Sequence, residues 1–115
     1  MEGMDVSISI TNCSPRFDDI GFWYGLLREL PGVVGLKKMD PPTLYRFPTE
    51  IAPDDLGVSG TMLMVQSHCA FHWWPTTNFC HITVSSCVKF DVTMVVHYVG
   101  EHFRTGDFSV RESWW

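Results

Sequence analysis

Gly57-Val58-Ser59-Gly60-Thr61-Met62-Leu63-Met64-Val65-Gln66-Ser67-His68-Cys69-Ala70-Phe71-His72-Trp73-Trp74-Pro75 is the stretch on which the fold turns. It begins as an apolar run of strand type. It then delivers two serines, two histidines and a cysteine within fourteen positions. A strand that is only structural seldom carries so much reactive chemistry. Val58 to about Phe71 therefore reads as one central strand that doubles as a site.

On the N-terminal side, Val6 to Thr11 alternates strictly with its even positions apolar, the pattern of a half-buried strand. Ser14-Pro15 reads as a helix start, with Asp18 and Asp19 suited to the positive end of the dipole. Phe17, Ile20, Trp23, Leu26, Leu27 and Leu30 recur at helical spacing, and Pro31-Gly32 reads as the stop. Val33–Met39 and Thr43–Phe47 are expected as strands separated by Asp40-Pro41-Pro42, with a loop from Pro48 to Leu56. On the C-terminal side, Cys80, Ile82, Val84 and Val88 give another strand its apolar face, and parity places Cys87 on the opposite, more polar face. Asp91 caps a second helix with Val92, Val95, Val96, Val99 and Phe103 on one stripe, closed by Gly106. Phe108-Ser109-Val110 is a last short strand.

The result is a single α+β domain over residues 1–115. It is a two-layer sandwich in which a largely antiparallel sheet is covered on one face by two helices. Leu63 and Val65 beside Ser59, Thr61 and Ser67 make the uncovered face half apolar, so the sheet is expected to dimerise through it. The chain is 45% hydrophobic and 18% charged, a folded composition, and its net charge of −5 without a Lys/Arg cluster argues against nucleic acid. Met1-Glu2-Gly3-Met4-Asp5 lacks the regions of a signal peptide, and no apolar run is long enough for a bilayer. A cytoplasmic location with reduced cysteines is the expectation.

Gly57-Val58-Ser59-Gly60, Gln66-Ser67-His68, His72-Trp73-Trp74-Pro75-Thr76 and Ser86-Cys87 together resemble the short, bacterial-type S-adenosylmethionine decarboxylases. Asp40-Pro41-Pro42 and Lys89-Phe90-Asp91 also look like family features, and the resemblance covers nearly the whole chain. Members of that family are pyruvoyl enzymes that cut themselves at a serine. The resemblance implies a zymogen that cleaves between Gln66 and Ser67 and keeps a covalent pyruvoyl group made from Ser67. It implies that Ser59 and His72 assist this processing and that Cys87 is the catalytic proton donor. It also implies a homodimer acting on an amino-acid-type small molecule in polyamine (spermidine or putrescine) synthesis.

The chemistry explains the residue types. In the chemistry the resemblance implies, the Ser67 hydroxyl attacks the Gln66 carbonyl and converts the peptide bond to an ester. A base, His72, removes the Ser67 α-proton and the ester is eliminated; hydrolysis leaves a pyruvoyl cap and ammonia. That ketone forms a Schiff base with a substrate amine and acts as the electron sink for decarboxylation. A thiol with a pKa not far from working pH returns a proton to the substrate carbon.

Spacing constrains how these groups meet. Ser59 and Ser67 in one strand would lie roughly 26 Å apart, at about 3.3 Å per residue. His72 and Ser67 differ by five and would point to opposite faces. Ser59 and His72 are therefore expected to serve the Ser67 of a partner chain.

Departures from the family pattern fall on substrate recognition. Thr76 stands for the glutamate that holds ribose, Gln66 for the glutamate before the cleaved serine, and Thr83 for an aspartate. Ile10 and Leu56 or Pro53 stand where relatives carry aromatics. S-adenosylmethionine is the family-default substrate; ornithine or arginine is the alternative, with Asp54 and Asp55 as anionic partners for a cationic side chain. Blander readings stay open: Ser67 as a plain strand serine, Cys87 as a core thiol, His72 as a satisfied core histidine, and a non-cleaving relative acting as a binding protein. His68, Cys69, His72, Cys80 and His81 as a zinc site is the weakest, for no CxxC completes the set. No metal is assigned.

Overall fold

Strand β1, Met4–Pro15, shows how alternation builds the sheet. Met4, Val6, Ile8 and Ile10 are buried under the helices, while Asp5, Ser7 and Ser9 face the other way. The computed structural model describes residues 2–17, 19–47, 54 and 56–115. The order continues with α1 (Ile20–Val34), β2 (Thr43–Arg46), β3 (Val58–Met64), β4 (Ser67–Trp74), β5 (Phe79–Ser86), α2 (Val92–Gly100) and β6 (Phe103–Trp114). The strands form one antiparallel sheet in the order β2-β3-β4-β5-β1-β6. Both helices lie on one face, which is the α+β two-layer architecture expected from the sequence.

Trp23 of α1 anchors the core. Its ring stacks on Phe71 of β4 at 4.8 Å and 15°, with Trp73 at 5.2 Å and Phe103 at 6.1 Å. Leu26, Leu27 and Leu30 from α1 and Val95 and Val99 from α2 complete the contact with the sheet. Gly60 is required where β3 passes under α1. A Cβ there would sit 2.6 Å from Phe71 Cε1, 2.9 Å from Leu44 Cγ and 3.1 Å from Leu27 Cδ1.

Several expected boundaries moved. Ser14 and Pro15 do not start α1 but stay in β1, opposite Thr105 and Phe103 beyond a bulge. The cap is Asp19, whose Oδ1 accepts the Phe22 N–H at 2.7 Å. Asp18 lies outside the described residues. Pro31 does not stop the helix; it sits in the last turn, and its carbonyl accepts the N–H groups of Gly35 and Leu36. Gly35, at φ 74°, makes the left-handed exit. Val33 and Val34 are thus helical, and of the expected strand Val33–Met39 only Lys38 bridges the sheet, opposite Met64. Asp91 does cap α2, accepting the Thr93 N–H at 2.9 Å, but that helix ends at Gly100. Phe103 and Gly106 belong to β6, a twelve-residue strand rather than the three-residue one expected. Of the expected loop Pro48–Leu56, only Asp54 and Leu56 are described.

The largest correction concerns the central stretch. Val58–Phe71 is not one strand but a hairpin, with Met64 opposite Ser67, Leu63 opposite His68 and Ser59 opposite His72. The reversal at Val65-Gln66 carries no glycine, proline or asparagine to announce it. Gln66 itself takes the left-handed conformation, φ 58°, which a non-glycine residue adopts at a cost of about 1–2 kcal/mol.

Candidate active site

The hairpin tip gathers one group of predicted residues. Ser67 opens β4 opposite Ser86, the last residue of β5. The Ser67 hydroxyl donates to Ser86 Oγ at 2.8 Å, and Ser86 Oγ also accepts the Val88 N–H at 2.9 Å. One step further along the ladder, the Cys87 N–H donates to the Gln66 carbonyl at 3.0 Å. The carbonyl on one side of the Gln66–Ser67 bond, the hydroxyl on the other, and Cys87 therefore meet at one point. Ser67 is buried on the helix-covered side of the sheet, not on the open face where it was expected beside Leu63 and Val65. Val88 lies beyond β5 and is exposed, so it is not part of that strand's apolar face.

Cys87 differs from the other cysteines. Cys13, Cys69 and Cys80 are buried, whereas Cys87 is half-buried at the strand end. Burial raises the Cys13 thiol, pushes Cys69 up to about 12 and raises Cys80 well above the usual thiol range, with Cys13 close to Cys80 adding to it.

A second group lies on the open face. Ser59 on β3 and His72 on β4 are directly opposite each other, with Ser59 Oγ 2.7 Å from His72 Nδ1. They border a shallow pocket of about 200 Å³ together with Thr43, Tyr45, Gly60, Thr61 and Ala70. The row continues across the sheet: His72 faces His81 on β5, and His81 faces Ser9 on β1. Ser9 Oγ is 3.0 Å from His81 Nδ1, a second hydroxyl–imidazole couple. Burial lowers the His81 pKa, and the neighbouring His72 lowers it further.

These two groups do not meet within one chain. His72 is five residues along β4 from Ser67 and on the opposite face, roughly 17 Å away at about 3.3 Å per residue. Ser59 is equally far, because Ser67 pairs with Met64. The reason differs from the one read from sequence, since a hairpin replaced the straight strand, but the separation stands. Thr76 sits in the exposed turn at the opposite end of β4 from Gln66, so these two candidate substrate contacts are not brought together. Beside that turn, an open pocket of about 480 Å³ is bordered by Cys13, Trp73 and Pro75, far from Ser67. Asp54 is exposed, and Asp55 lies outside the described residues.

His68 and His72 share the open face and Cys69 points the other way, as parity required. No group of three or more His, Cys, Asp or Glu fit to hold a metal exists among the described residues. Among them, too, no helix is long and apolar enough to cross a membrane. Ser9 was not singled out in the sequence, while Ser86 entered only as the neighbour of Cys87 and His81 only as a member of the zinc set. Ser86 had a signal, being the polar residue on the parity that buries Cys80, Ile82 and Val84.

The sequence model of the S-adenosylmethionine decarboxylase family matches residues 4–114, nearly the entire chain. No curated protein matches it.

Proposed function

The chain belongs to the S-adenosylmethionine decarboxylase family, and from that premise we propose that it is a pyruvoyl-dependent decarboxylase that makes its prosthetic group from Ser67. The observation that carries this reading is the meeting of Gln66, Ser67 and Cys87 at the hairpin tip, where the β3–β4 turn and the end of β5 are joined by the Cys87 N–H to Gln66 carbonyl bond at 3.0 Å. A hydroxyl and the carbonyl it must attack, with the Cys87 backbone held against that carbonyl, fit a self-made ketone. In this reading the uncleaved chain is the precursor.

In this reading Ser67 Oγ attacks the Gln66 carbonyl carbon and the peptide becomes an ester. His72 then takes the Ser67 α-proton. Ser59 against Nδ1 fixes the ring and leaves Nε2 for that proton. The ester leaves as the Gln66 carboxylate, and water replaces the nitrogen as ammonia. The ketone so formed supplies the electron sink for loss of carbon dioxide from an amino-acid-type substrate. Cys87 is the residue we assign to return the proton, supported by its being the one thiol of four that is not buried.

The roughly 17 Å along β4 that separates His72 from Ser67 supports a base supplied by a second copy, in a two-fold dimer across the open face. Laid antiparallel, one β4 puts its His72 over the partner strand's Ser67 end. Exposed Leu63 and Tyr45 on that face give such a contact apolar area. For the substrate, S-adenosylmethionine is the family default. Thr76 and Gln66 in place of two glutamates favour ornithine or arginine as the alternative, in either case feeding polyamine synthesis.

Intact mass tests the reading: the purified chain should appear as fragments 1–66 and 67–115, and labelled carbon dioxide release from the three substrates then identifies the one used. A single uncleaved, inactive chain overturns it. Mixing Ser67→Ala and His72→Ala chains tests sharing, because only the His72→Ala chain keeps a cleavable serine and only the other keeps the base. No splitting in the mixture would count against a shared site.

A further inference from the structure

We infer that Ser86 is the positioning residue for the acyl shift and that the Cys87 backbone N–H is the donor that takes the charge it generates; this rests on the self-processing reading above. Ser86 is 1% exposed, on a strand face otherwise made of Cys80, Ile82 and Val84. A hydroxyl in such a place needs hydrogen-bond partners. Here Ser86 Oγ accepts two donors, the Val88 N–H at 2.9 Å and the Ser67 hydroxyl at 2.8 Å. The Val88 bond closes the bend after β5 and accounts for a structural role. The Ser67 bond is not needed for that bend. It turns the Ser67 proton toward Ser86 and so leaves the Ser67 lone pairs for its own preceding carbonyl.

That carbonyl is already held. Its oxygen accepts the Cys87 N–H at 3.0 Å, from the residue next to Ser86. One dipeptide, Ser86-Cys87, therefore grips both ends of the reacting pair through a side chain and a backbone group. In the shift, the Ser67 Oγ–C bond to Gln66 forms and the C–N bond between Gln66 and Ser67 breaks. The hydroxyl proton leaves by way of the Ser86 hydroxyl, and the Ser67 nitrogen takes up one proton as it becomes an amine. The step is an isomerisation that gains and loses no atoms. Negative charge passes through the Gln66 oxygen, where a fixed N–H donor is worth about 100-fold or more in comparable acyl transfers. Gln66 is left-handed, φ 58°, and its carbonyl bonds to Cys87, continuing the β4–β5 register one step beyond Ser67 and Ser86.

A pulse of cell-free translation yields intact chain, whose splitting is followed by gel and intact mass, with hydroxylamine added to cut any ester already formed. Ser86→Ala is expected to slow splitting about 100-fold or more, the lower end of what general acid–base groups contribute. It should also lower the hydroxylamine-sensitive ester, because the slowed step precedes that ester. Ser86→Thr keeps the hydroxyl and should restore both. His72→Ala, blocked after the shift, should accumulate the ester, and His72→Ala with Ser86→Ala should not. Thermal melts of the same chains separate a loss of fold from a loss of positioning. Where Ser86→Ala does not fold, Ser86→Cys, close in volume with a weaker acceptor, is read the same way. Ester formation at the wild-type rate in a folded Ser86→Ala or Ser86→Cys chain overturns the inference while leaving the proposed function intact. A wild-type chain that never splits overturns both.

Discussion

Gln66 is the residue whose replacement most directly tests how the hairpin stores strain beside the bond that is cut on the proposed reading. Its left-handed backbone, φ 58°, costs a side-chain-bearing residue about 1–2 kcal/mol. Glycine is free of that cost but loses about 0.5–1 kcal/mol more through the flexibility of the unfolded chain. Gln66→Gly should therefore stabilise the fold by about 0.5–1 kcal/mol. Gln66→Val, β-branched at a left-handed position, should lose about 1 kcal/mol or more. Both are made in a Ser67→Ala background, so that the chain stays whole on the proposed reading. With a urea slope of about 2 kcal/mol per molar, glycine should raise the midpoint by about 0.3–0.5 M, and valine should lower it by about 0.5 M. Protein concentration is held fixed, because any self-association shifts the midpoint by mass action. If the strain is released as the Gln66–Ser67 bond opens, Gln66→Gly with Ser67 intact should also split more slowly, by up to about five-fold for 1 kcal/mol. A glycine variant less stable than its parent would refute the assignment of strain to Gln66.

Gly60→Ala forces a methyl to 2.6 Å from Phe71 and 2.9 Å from Leu44 Cγ; overpacking of this kind costs about 1–3 kcal/mol, so the melting temperature should fall by several degrees, read by circular dichroism. Native-state thiol titration should find one reactive cysteine, Cys87, with Cys13, Cys69 and Cys80 reacting only on unfolding because burial holds their thiols protonated; more than one fast thiol in the folded chain contradicts the burial pattern. His81 has a lowered folded pKa, so below about 6.5, the unfolded value, the unfolded chain binds more protons than the folded one and stability falls as pH drops toward the lowered value. His81→Gln should flatten that decline in urea midpoints taken across the same pH range, and an unchanged slope would show that His81 is not its source.

Parity and capping were legible in the sequence wherever the local pattern and the tertiary contacts demand the same thing. Met4, Val6, Ile8 and Ile10 alternate because β1 has one covered face, and Asp91 caps α2 because its carboxylate reaches the Thr93 N–H. The misreadings share a cause: a local signal overridden by packing. Pro31 reads as a stop, yet the helix outlasts it by three residues because the Pro31 carbonyl closes the end at Gly35 and Leu36. Ser14-Pro15 reads as a start, yet β6 offers those residues a strand partner. The hairpin at Val65-Gln66 was hidden because turns are normally announced by residues that tolerate φ > 0, and here glutamine is held there by the β3–β4 register on one side and the Cys87 N–H on the other. Ser59, Ser67, His72 and Cys87 were visible as a motif, but which of them touch was not, since contact depends on that hidden reversal. Ser86 escaped because a serine on a buried parity looks like a small filler until its partner across the strand is known.

One strand, β4, carries both Ser67 and His72, five positions apart. An odd offset puts them on opposite faces, and five residues keep them roughly 17 Å apart however the side chains turn. Bending the strand to bring them together would break its pairing with both β3 and β5, which runs without interruption from Ser67 to Trp73. A chain built this way cannot bring its own base to its own serine while keeping the sheet. On the proposed reading, maturation must then follow assembly, and that makes a kinetic prediction. When freshly made chain is diluted stepwise, the rate of splitting at Gln66–Ser67 should fall once the concentration drops below the dimer dissociation constant. Adding Ser67→Ala chain, which cannot split but supplies Ser59 and His72, should restore the rate; adding His72→Ala chain should restore far less. A splitting rate independent of concentration over a range in which ultracentrifugation shows the chain passing from dimer to monomer would mean that the base acts within one chain, and the sheet would then have to open for processing to occur.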